Sequence, residues 1–154
     1  MTAEQRLANL GIILPAAAKA VANYVGWVKS GNLVFISGQL ALVQGVLMHP
    51  GLVGGNVSID DAKAAARLCA VNIIAQARDA CGGDLERVSR VLKLTGFVAA
   101  DSTFTQHPAI VNGASDLMVE CFGEAGRHAR AAVGVSSLPL GACVEVEAVF
   151  EIKG

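Results

Sequence analysis

The chain has 154 residues and a formal net charge of −1, and hydrophobic residues make up 53% of it. This length fits a single domain with a substantial core, which we expect to span residues 1–154. The balanced charge argues against a nucleic-acid or anionic-membrane surface, and no apolar run approaches the roughly 20 residues of a membrane-spanning helix.

The cysteines and histidines predict neither a disulfide framework nor a metal site. The four cysteines are far apart and form no CxxC pair, and the three histidines have no partner one helical turn away. Isolated cysteines of this kind are typical of core residues in a reducing compartment. Because the N-terminus has no secretory pattern, we expect a cytoplasmic protein.

The first third of the chain predicts one short helix followed by strands. Thr2 can cap a helix over residues 2–10. Two β-rich runs, Tyr24–Val28 and Leu33–Gly38, flank a Gly-Asn turn and predict a hairpin. A third run, Leu40–Met48, is interrupted by a glycine, which indicates a bulge or a second turn.

The middle of the chain alternates helix, strand and helix. Ser58 begins a helix that runs to about Cys81, with a stripe of small apolar residues along one face. Val91–Ala99 is typical of a strand. His107-Pro108 opens a second long helix, because proline suits the first helical position, and Gly123 ends it.

The last third predicts a hairpin that carries most of the candidate chemistry. Its strands are Arg130–Val135 and Cys143–Ile152, and its turn is Leu138–Gly141. The predicted order is thus β-β-β-α-β-α-β-β, an α+β fold with both long helices on one face of a mixed sheet. Copies of the chain packing the other face together, as a trimer or a dimer, would bury it.

Arg130 and Glu145 are the candidate catalytic pair. A guanidinium can hold a carboxylate through two parallel hydrogen bonds, and a nearby glutamate can move a proton or place a water. The alternatives are a structural ion pair of Arg130 with Glu145 or Glu147 across the hairpin, and a solvated Glu145. His128 is either a general base or a packing residue, and Arg127 is either an interface residue or a second anion contact.

Several motifs occur together along the chain: Ser37-Gly38-Gln39, Gly96-Phe97-Val98, Arg130, Leu138-Pro139 and Val144–Glu147. Their order and rough spacing resemble the Rid family of RidA-like or YjgF-type reactive intermediate deaminases, some of which carry the older label L-PSP endoribonuclease. The segments Gly113–Leu117 and Phe122–Arg130 resemble a longer subgroup. The resemblance covers nearly the whole chain from Leu14 onward.

The resemblance implies a chorismate-mutase-like fold over about residues 14–153, and a homotrimer assembled through the open sheet face. It places one active site in each cleft between subunits. The implied reaction is hydrolysis of enamines and imines such as 2-aminoacrylate to 2-keto acids and ammonia. The enzyme would be a cofactor-independent hydrolase of the 2-iminobutanoate/2-iminopropanoate deaminase type, without metal.

The resemblance also implies the roles of individual residues. Arg130 falls on the carboxylate-binding arginine, and Glu145 falls on the acidic residue that positions or activates water. The implied substrate-binding positions are Tyr24, Ser37, Gly38, Asn112 and Ala132. Ser115 is the alternative to Asn112 on the helix. Ala132 stands where the family has a cysteine, so only its backbone donor could take part.

Three function classes follow from these observations. The first is the enamine/imine deaminase, favoured by Arg130 with Glu145. The second is a noncatalytic trimer that binds a small carboxylate or regulates another protein, favoured by the departures from the family pattern at Ala131-Ala132 and before Tyr24. The third is an endoribonuclease, which the near-neutral charge disfavours.

Overall fold

The computed structural model describes residues 1–154 as three helices and seven strands. The helices are α1 (Ala3–Asn9), α2 (Ile59–Ala80) and α3 (His107–Phe122). The strands are β1 (Trp27–Ser30), β2 (Leu33–Gln39), β3 (Leu42–Val43), β4 (Val46–Leu47), β5 (Val88–Ala99), β6 (Ala129–Val135) and β7 (Val144–Ile152). None of the helices combines the length and the hydropathy that crossing a bilayer requires.

Five strands form one mixed sheet in the order β1-β2-β7-β5-β6. All neighbours are antiparallel except β5 and β6, which run parallel. Parallel neighbours need a long crossover connection, and α3 lies within that connection here. Strand β7 is central and β6 is an edge strand, so the two residues of greatest interest, Glu145 and Arg130, lie on strands of different kinds.

Both long helices pack on the same face of the sheet, as predicted. The Cys69 thiol of α2 lies 3.8 Å from the carbonyl oxygen of Val144 on β7. On β5, a side chain added at Gly96 would overlap Val111 of α3. Because Gly96 is paired with Val146, two residues along β7 from Val144, these contacts define a single helix-covered face.

The opposite face of the sheet is open in the single chain. Phe35 and Val133 remain 45% and 43% exposed there. Phe97 and Thr95 of β5 also point to this face, opposite Glu145 and Glu147 of β7. An apolar face of this kind is a typical site of association with another protein chain.

The local signals at the element ends are confirmed. Thr2 and Gln5 form a capping box at the start of α1, and the Ser58 hydroxyl accepts a hydrogen bond from the Asp61 amide at the start of α2. The turn between β1 and β2 contains Gly31, which has a positive φ of 59°. A residue without a side chain adopts this conformation at little cost.

The predicted hairpin between Arg130 and Glu147 is wrong in its pairing. Both strands form, but β6 pairs with β5 and β7 pairs with β5 and β2. Strand β5 therefore lies between them, and the turn at Pro139–Gly141 carries the chain past it. Strands that follow one another in sequence are neighbours only about two-thirds of the time. Here the α3 crossover brings β6 beside β5 as a parallel strand, and β7 lies between β2 and β5.

Several strand bounds also differ from the prediction, and β5 begins at Val88 rather than Val91. β1 begins at Trp27 rather than Tyr24. Ahead of Trp27 the regular ladder is replaced by two bonds from one residue of β2: the backbone amide and the hydroxyl of Ser37 donate to the carbonyls of Gly26 and Val25, at 2.9 and 2.7 Å. The run Leu40–Met48 folds as the separate β3–β4 hairpin, outside the main sheet. The glycine interruption marks the turn of that hairpin.

Candidate active site

Arg130 is held by the helix that packs beside its strand. Its Nη1 donates to the Asn112 side-chain oxygen at 2.7 Å and to the Ser115 hydroxyl at 3.2 Å. Asn112 and Ser115 are three residues apart on α3, and residues at this spacing share one face of a helix. Both helix positions that the sequence analysis considered for substrate binding thus contact Arg130.

The guanidinium of Arg130 has an open edge and no acidic partner. Nη1 carries two protons, and its two acceptors are a neutral amide and a neutral hydroxyl. Neither Nε nor Nη2 makes a hydrogen bond within the chain. The structure contains three ion pairs, His49–Asp61, Arg67–Glu120 and Arg127–Glu124, and none of them involves Arg130. The ion pair with Glu145 or Glu147, considered from the sequence, is absent.

His128 extends this cluster. Its Nε2 lies 2.9 Å from the Ser115 hydroxyl, and its Nδ1 lies 2.6 Å from the Gly126 carbonyl oxygen. His128 and Arg130 are two residues apart on an extended segment, a spacing that directs both side chains to the same side. Arg127 points elsewhere: its Nε binds Glu124 at 3.0 Å, and both side chains are mostly exposed.

Glu145 lies on the other face of the sheet, at a β-bulge in β2. The register between β2 and β7 shifts between Ile36 and Gln39, which leaves one extra residue in β2 at Ser37-Gly38. A Cβ added at Gly38 would lie 2.8 Å from Cδ of Glu145. The missing side chain at Gly38 thus makes room for the carboxyl, and bulges commonly re-aim side chains next to active sites.

The environment of Glu145 favours its protonated form. Burial is the larger cause, and the neighbouring Glu147 carboxylate adds to it; together they raise the pKa of Glu145 above its ordinary value. No hydrogen bond contributes to this shift. A carboxyl whose pKa moves toward neutrality is better suited to taking up and returning a proton.

Tyr24 and Ser37 contribute to a cavity beside Gly38. This cavity has a volume of about 410 Å³, and Pro139 and Leu140 line its other side. Tyr24 is 58% exposed in the single chain. The Ser37 hydroxyl donates to the Val25 carbonyl, so Ser37 fixes the segment that carries Tyr24 and keeps only its oxygen free to accept a hydrogen bond.

The sequence-predicted residues therefore form two groups on opposite faces of one sheet. Tyr24, Ser37 and Gly38 line the cavity, and Glu145 lies against Gly38 on the open face of the sheet. Asn112, Ser115, His128 and Arg130 form the other group, on the helix-covered face at the β6 edge. Ala132 follows Arg130 on the same strand face, and its side chain packs against the core. A single chain does not bring Arg130 and Glu145 together.

The cysteines and the other potential metal ligands are not arranged for metal binding or thiol catalysis. No group of three or more His, Cys, Asp or Glu side chains is placed to hold a metal ion. The four cysteines are buried and unpaired. Burial raises the pKa of the Cys121 thiol to about 12 and that of Cys143 to about 11, so these thiols are poor nucleophiles.

Sequence reasoning missed the joint contact of Asn112 and Ser115 with Arg130, and the link from Ser115 to His128. Two spacings carried the signal: three residues between Asn112 and Ser115 on a helix, and two residues between His128 and Arg130 on a strand. Neither spacing shows that α3 lies beside β6, and this placement is what joins the two pairs.

Comparisons with known proteins identify the family. Residues 4–152 match the model of the family described as "YjgF/chorismate mutase-like, putative endoribonuclease". The chain is 47% identical over 148 residues to Protein TCP17 of Trypanosoma cruzi, covering 96% of this chain and 92% of that protein. It is 50% identical to Atu1372 of Agrobacterium tumefaciens, a protein described as of unknown function, with a TM-score of 0.93 and coverage of 98% and 92%.

A more distant structure carries a ligand. E. coli TdcF with bound serine superposes with a TM-score of 0.62 at 25% identity, covering 92% of this chain and 98% of TdcF. The family match extends over nearly all of the residues that build the sheet and both clusters of candidate residues. The chain thus belongs to the YjgF/chorismate mutase-like family and has that family's chorismate-mutase-like α+β fold.

Proposed function

We propose that this protein is a cofactor-independent deaminase that hydrolyses 2-aminoacrylate-type enamines and imines to 2-keto acids and ammonia. The observation that carries the proposal is the state of Arg130. The guanidinium has no carboxylate partner. Two neutral acceptors, Asn112 and Ser115, bind its Nη1, and its Nε and Nη2 make no hydrogen bond. A guanidinium in this state favours a ligand with a carboxylate, which can accept two parallel hydrogen bonds.

Glu145 supplies the proton chemistry in this account. Its raised pKa suits it to accept a proton from an attacking water and to return that proton later. Arg130 and Glu145 lie on opposite faces of the sheet, so a site that uses both needs two chains. We therefore propose a homotrimer in which each cleft combines Arg130 of one chain with Glu145 of its neighbour. The half-exposed Phe35 and Val133 on the open face support burial of that face.

The reaction then needs only orientation and proton movement. A proton from solvent adds to the enamine CH₂ carbon, and an equivalent proton returns to solvent when the hydroxyl is deprotonated in the last step. The first addition gives the iminium CH₃–C(=NH₂⁺)–COO⁻, whose carboxylate is held by Arg130. Water adds to the iminium carbon and gives a proton to Glu145. Glu145 returns the proton to nitrogen, the C–N bond breaks, and ammonia leaves as the hydroxyl loses its proton and the C=O bond forms. Enamine plus water yields 2-keto acid plus ammonia, with no oxidant or cofactor.

The family comparison supports a small ligand without fixing the reaction. TdcF binds serine, which is itself a small carboxylate. The "endoribonuclease" wording of the family description points to RNA instead, but the net charge of −1 provides little attraction for a polyanion.

Release of pyruvate and ammonia from 2-aminoacrylate generated in situ tests the proposal. We expect turnover by the native protein and a loss of about 100-fold or more in Arg130→Ala, because two charge-assisted hydrogen bonds are removed. Arg127→Ala is the matched control: its exposed pair with Glu124 contributes little, so activity should remain. Binding of pyruvate without turnover would identify a carboxylate-binding protein, and RNA cleavage that survives Arg130→Ala would identify a nuclease; either result overturns the deaminase.

A further inference from the structure

The hydrogen-bond chain from Arg130 to Gly126 has a fixed direction. A backbone carbonyl can only accept, so the Gly126 oxygen requires a proton on His128 Nδ1, at 2.6 Å. In the neutral imidazole, Nε2 is then an acceptor. The Ser115 hydroxyl must therefore donate its proton to Nε2, at 2.9 Å, and its oxygen is left to accept from Arg130 Nη1, at 3.2 Å.

This direction matters because a serine within a helix has another option. Its hydroxyl commonly donates to the carbonyl of the preceding turn, and a freely rotating hydroxyl presents no fixed lone pair to a neighbour. His128 removes this freedom because its Nε2 accepts the hydrogen bond that the Ser115 hydroxyl donates. With Asn112 accepting at 2.7 Å, both protons of Nη1 then have defined partners, and the guanidinium plane is set by the chain itself before any ligand binds.

We propose that Ser115 and His128 are positioning residues that act through Arg130 and impose side-on binding of the ligand carboxylate across Nε and Nη2. The inference rests on the proposed carboxylate site and deepens it by defining the bound edge. Neither residue touches the reacting atoms. They hold the Arg130 side chain in one orientation before the ligand arrives. Binding therefore costs less side-chain entropy.

Two substitutions at position 128 separate this role from a purely structural one. His128→Gln places an acceptor near the position of Nε2, so it keeps the Ser115 contact and loses the donor to Gly126. His128→Asn places a donor near the position of Nδ1, so it keeps the Gly126 contact and loses Ser115. Ser115→Ala removes the link directly with a residue that favours helix.

The measurement is the dissociation constant of pyruvate, obtained by NMR titration of the native protein and of each variant, with the melting temperature measured alongside. We expect His128→Gln to bind within about threefold of the native protein, and His128→Asn and Ser115→Ala to bind roughly three- to tenfold more weakly, the range for one lost hydrogen bond. Arg130→Lys keeps the charge without the fork and should bind more weakly still.

The possible results distinguish failure of the positioning role from failure of the carboxylate site at Arg130. If native protein binds pyruvate through Arg130 but Ser115→Ala binds equally well, the positioning inference is wrong and the carboxylate site stands. Tighter binding by His128→Asn than by His128→Gln would also refute it, by assigning His128 to the Gly126 turn. If the native protein does not bind pyruvate, or Arg130→Ala binds as well as the native protein, the carboxylate site itself fails, and the inference fails with it.

Discussion

A single methyl group added at Gly38 tests whether the position of the Glu145 carboxyl controls catalysis. Gly38 lies in the β2 bulge, faces Glu145, and has no positive φ, so alanine fits its backbone conformation. The added Cβ would lie 2.8 Å from Cδ and 3.0 Å from Oε2 of Glu145. The substitution therefore moves the proposed catalytic carboxyl without changing its chemistry.

The size of the effect follows from these distances. Carbon atoms pack at about 3.5–4.0 Å, so the carboxyl must retreat by roughly 0.7–1.2 Å or turn away. A misplacement of about 1 Å can reduce a rate 100-fold, and we expect kcat to fall roughly 10- to 100-fold. KM should change little, because the Arg130 proposed to hold the substrate carboxylate in that cleft belongs to the neighbouring chain, and the added methyl group meets Glu145 instead. The free energy of unfolding should fall by no more than about 1 kcal/mol, because the flexible end of the Glu145 side chain can move away from the added methyl group.

The assay is steady-state deamination of 2-aminoacrylate with a melting curve for each variant. The control is the same substitution in a Glu145→Ala background, where the methyl group meets no carboxyl. There, Gly38→Ala should leave the residual rate unchanged. Native-like kcat in Gly38→Ala, or an equal loss in both backgrounds, would refute the reasoning, because the effect would then not pass through Glu145.

Three further predictions concern titration and packing. The kcat/KM value should fall on acidification as Glu145 becomes protonated, and the midpoint should lie above the ordinary carboxyl pKa of 4.5. This step should vanish in Glu145→Gln. A midpoint at or below 4.5 contradicts the raised pKa. Because a carboxyl with a raised folded-state pKa is penalised when ionised, Glu145→Gln should raise the melting temperature at neutral pH, and the gain should disappear below pH 4.5, where both folded and unfolded states are protonated. The four buried thiols should not react with a disulfide reagent at pH 8 in the native protein and should all react after denaturation; fast labelling of Cys121 or Cys143 in the folded protein would show that their burial is wrong.

The sequence predicted the local features of the fold because local chemistry determines them. Thr2 and Ser58 cap helices through bonds that span three residues. Alternation along Val144–Ile152 places one face of β7 in the core, and the structure shows the same pattern. The Gly-Asn turn between β1 and β2 needs only a positive φ at Gly31.

The errors concern relations between distant segments. The Arg130–Val135 strand is confirmed, but its predicted partner, Cys143–Ile152, is wrong, because pairing with β5 depends on the placement of α3. The bulge at Ser37-Gly38 is a register shift against β7, and nothing within β2 alone reveals it. The same reason applies to the candidate site. The residue types indicate Arg130 and Glu145, but only the strand pairing shows that the two side chains lie on opposite faces of the sheet.

Subunit mixing tests the central claim, that one site uses Arg130 and Glu145 from different chains. Arg130→Ala and Glu145→Gln should each be nearly inactive alone. In mixed oligomers assembled by co-expression, random association gives about a quarter of the clefts both native groups, so roughly a quarter of native activity should return. Activity no greater than that of the two separate variants, in oligomers shown by mass spectrometry to be mixed, would contradict the account.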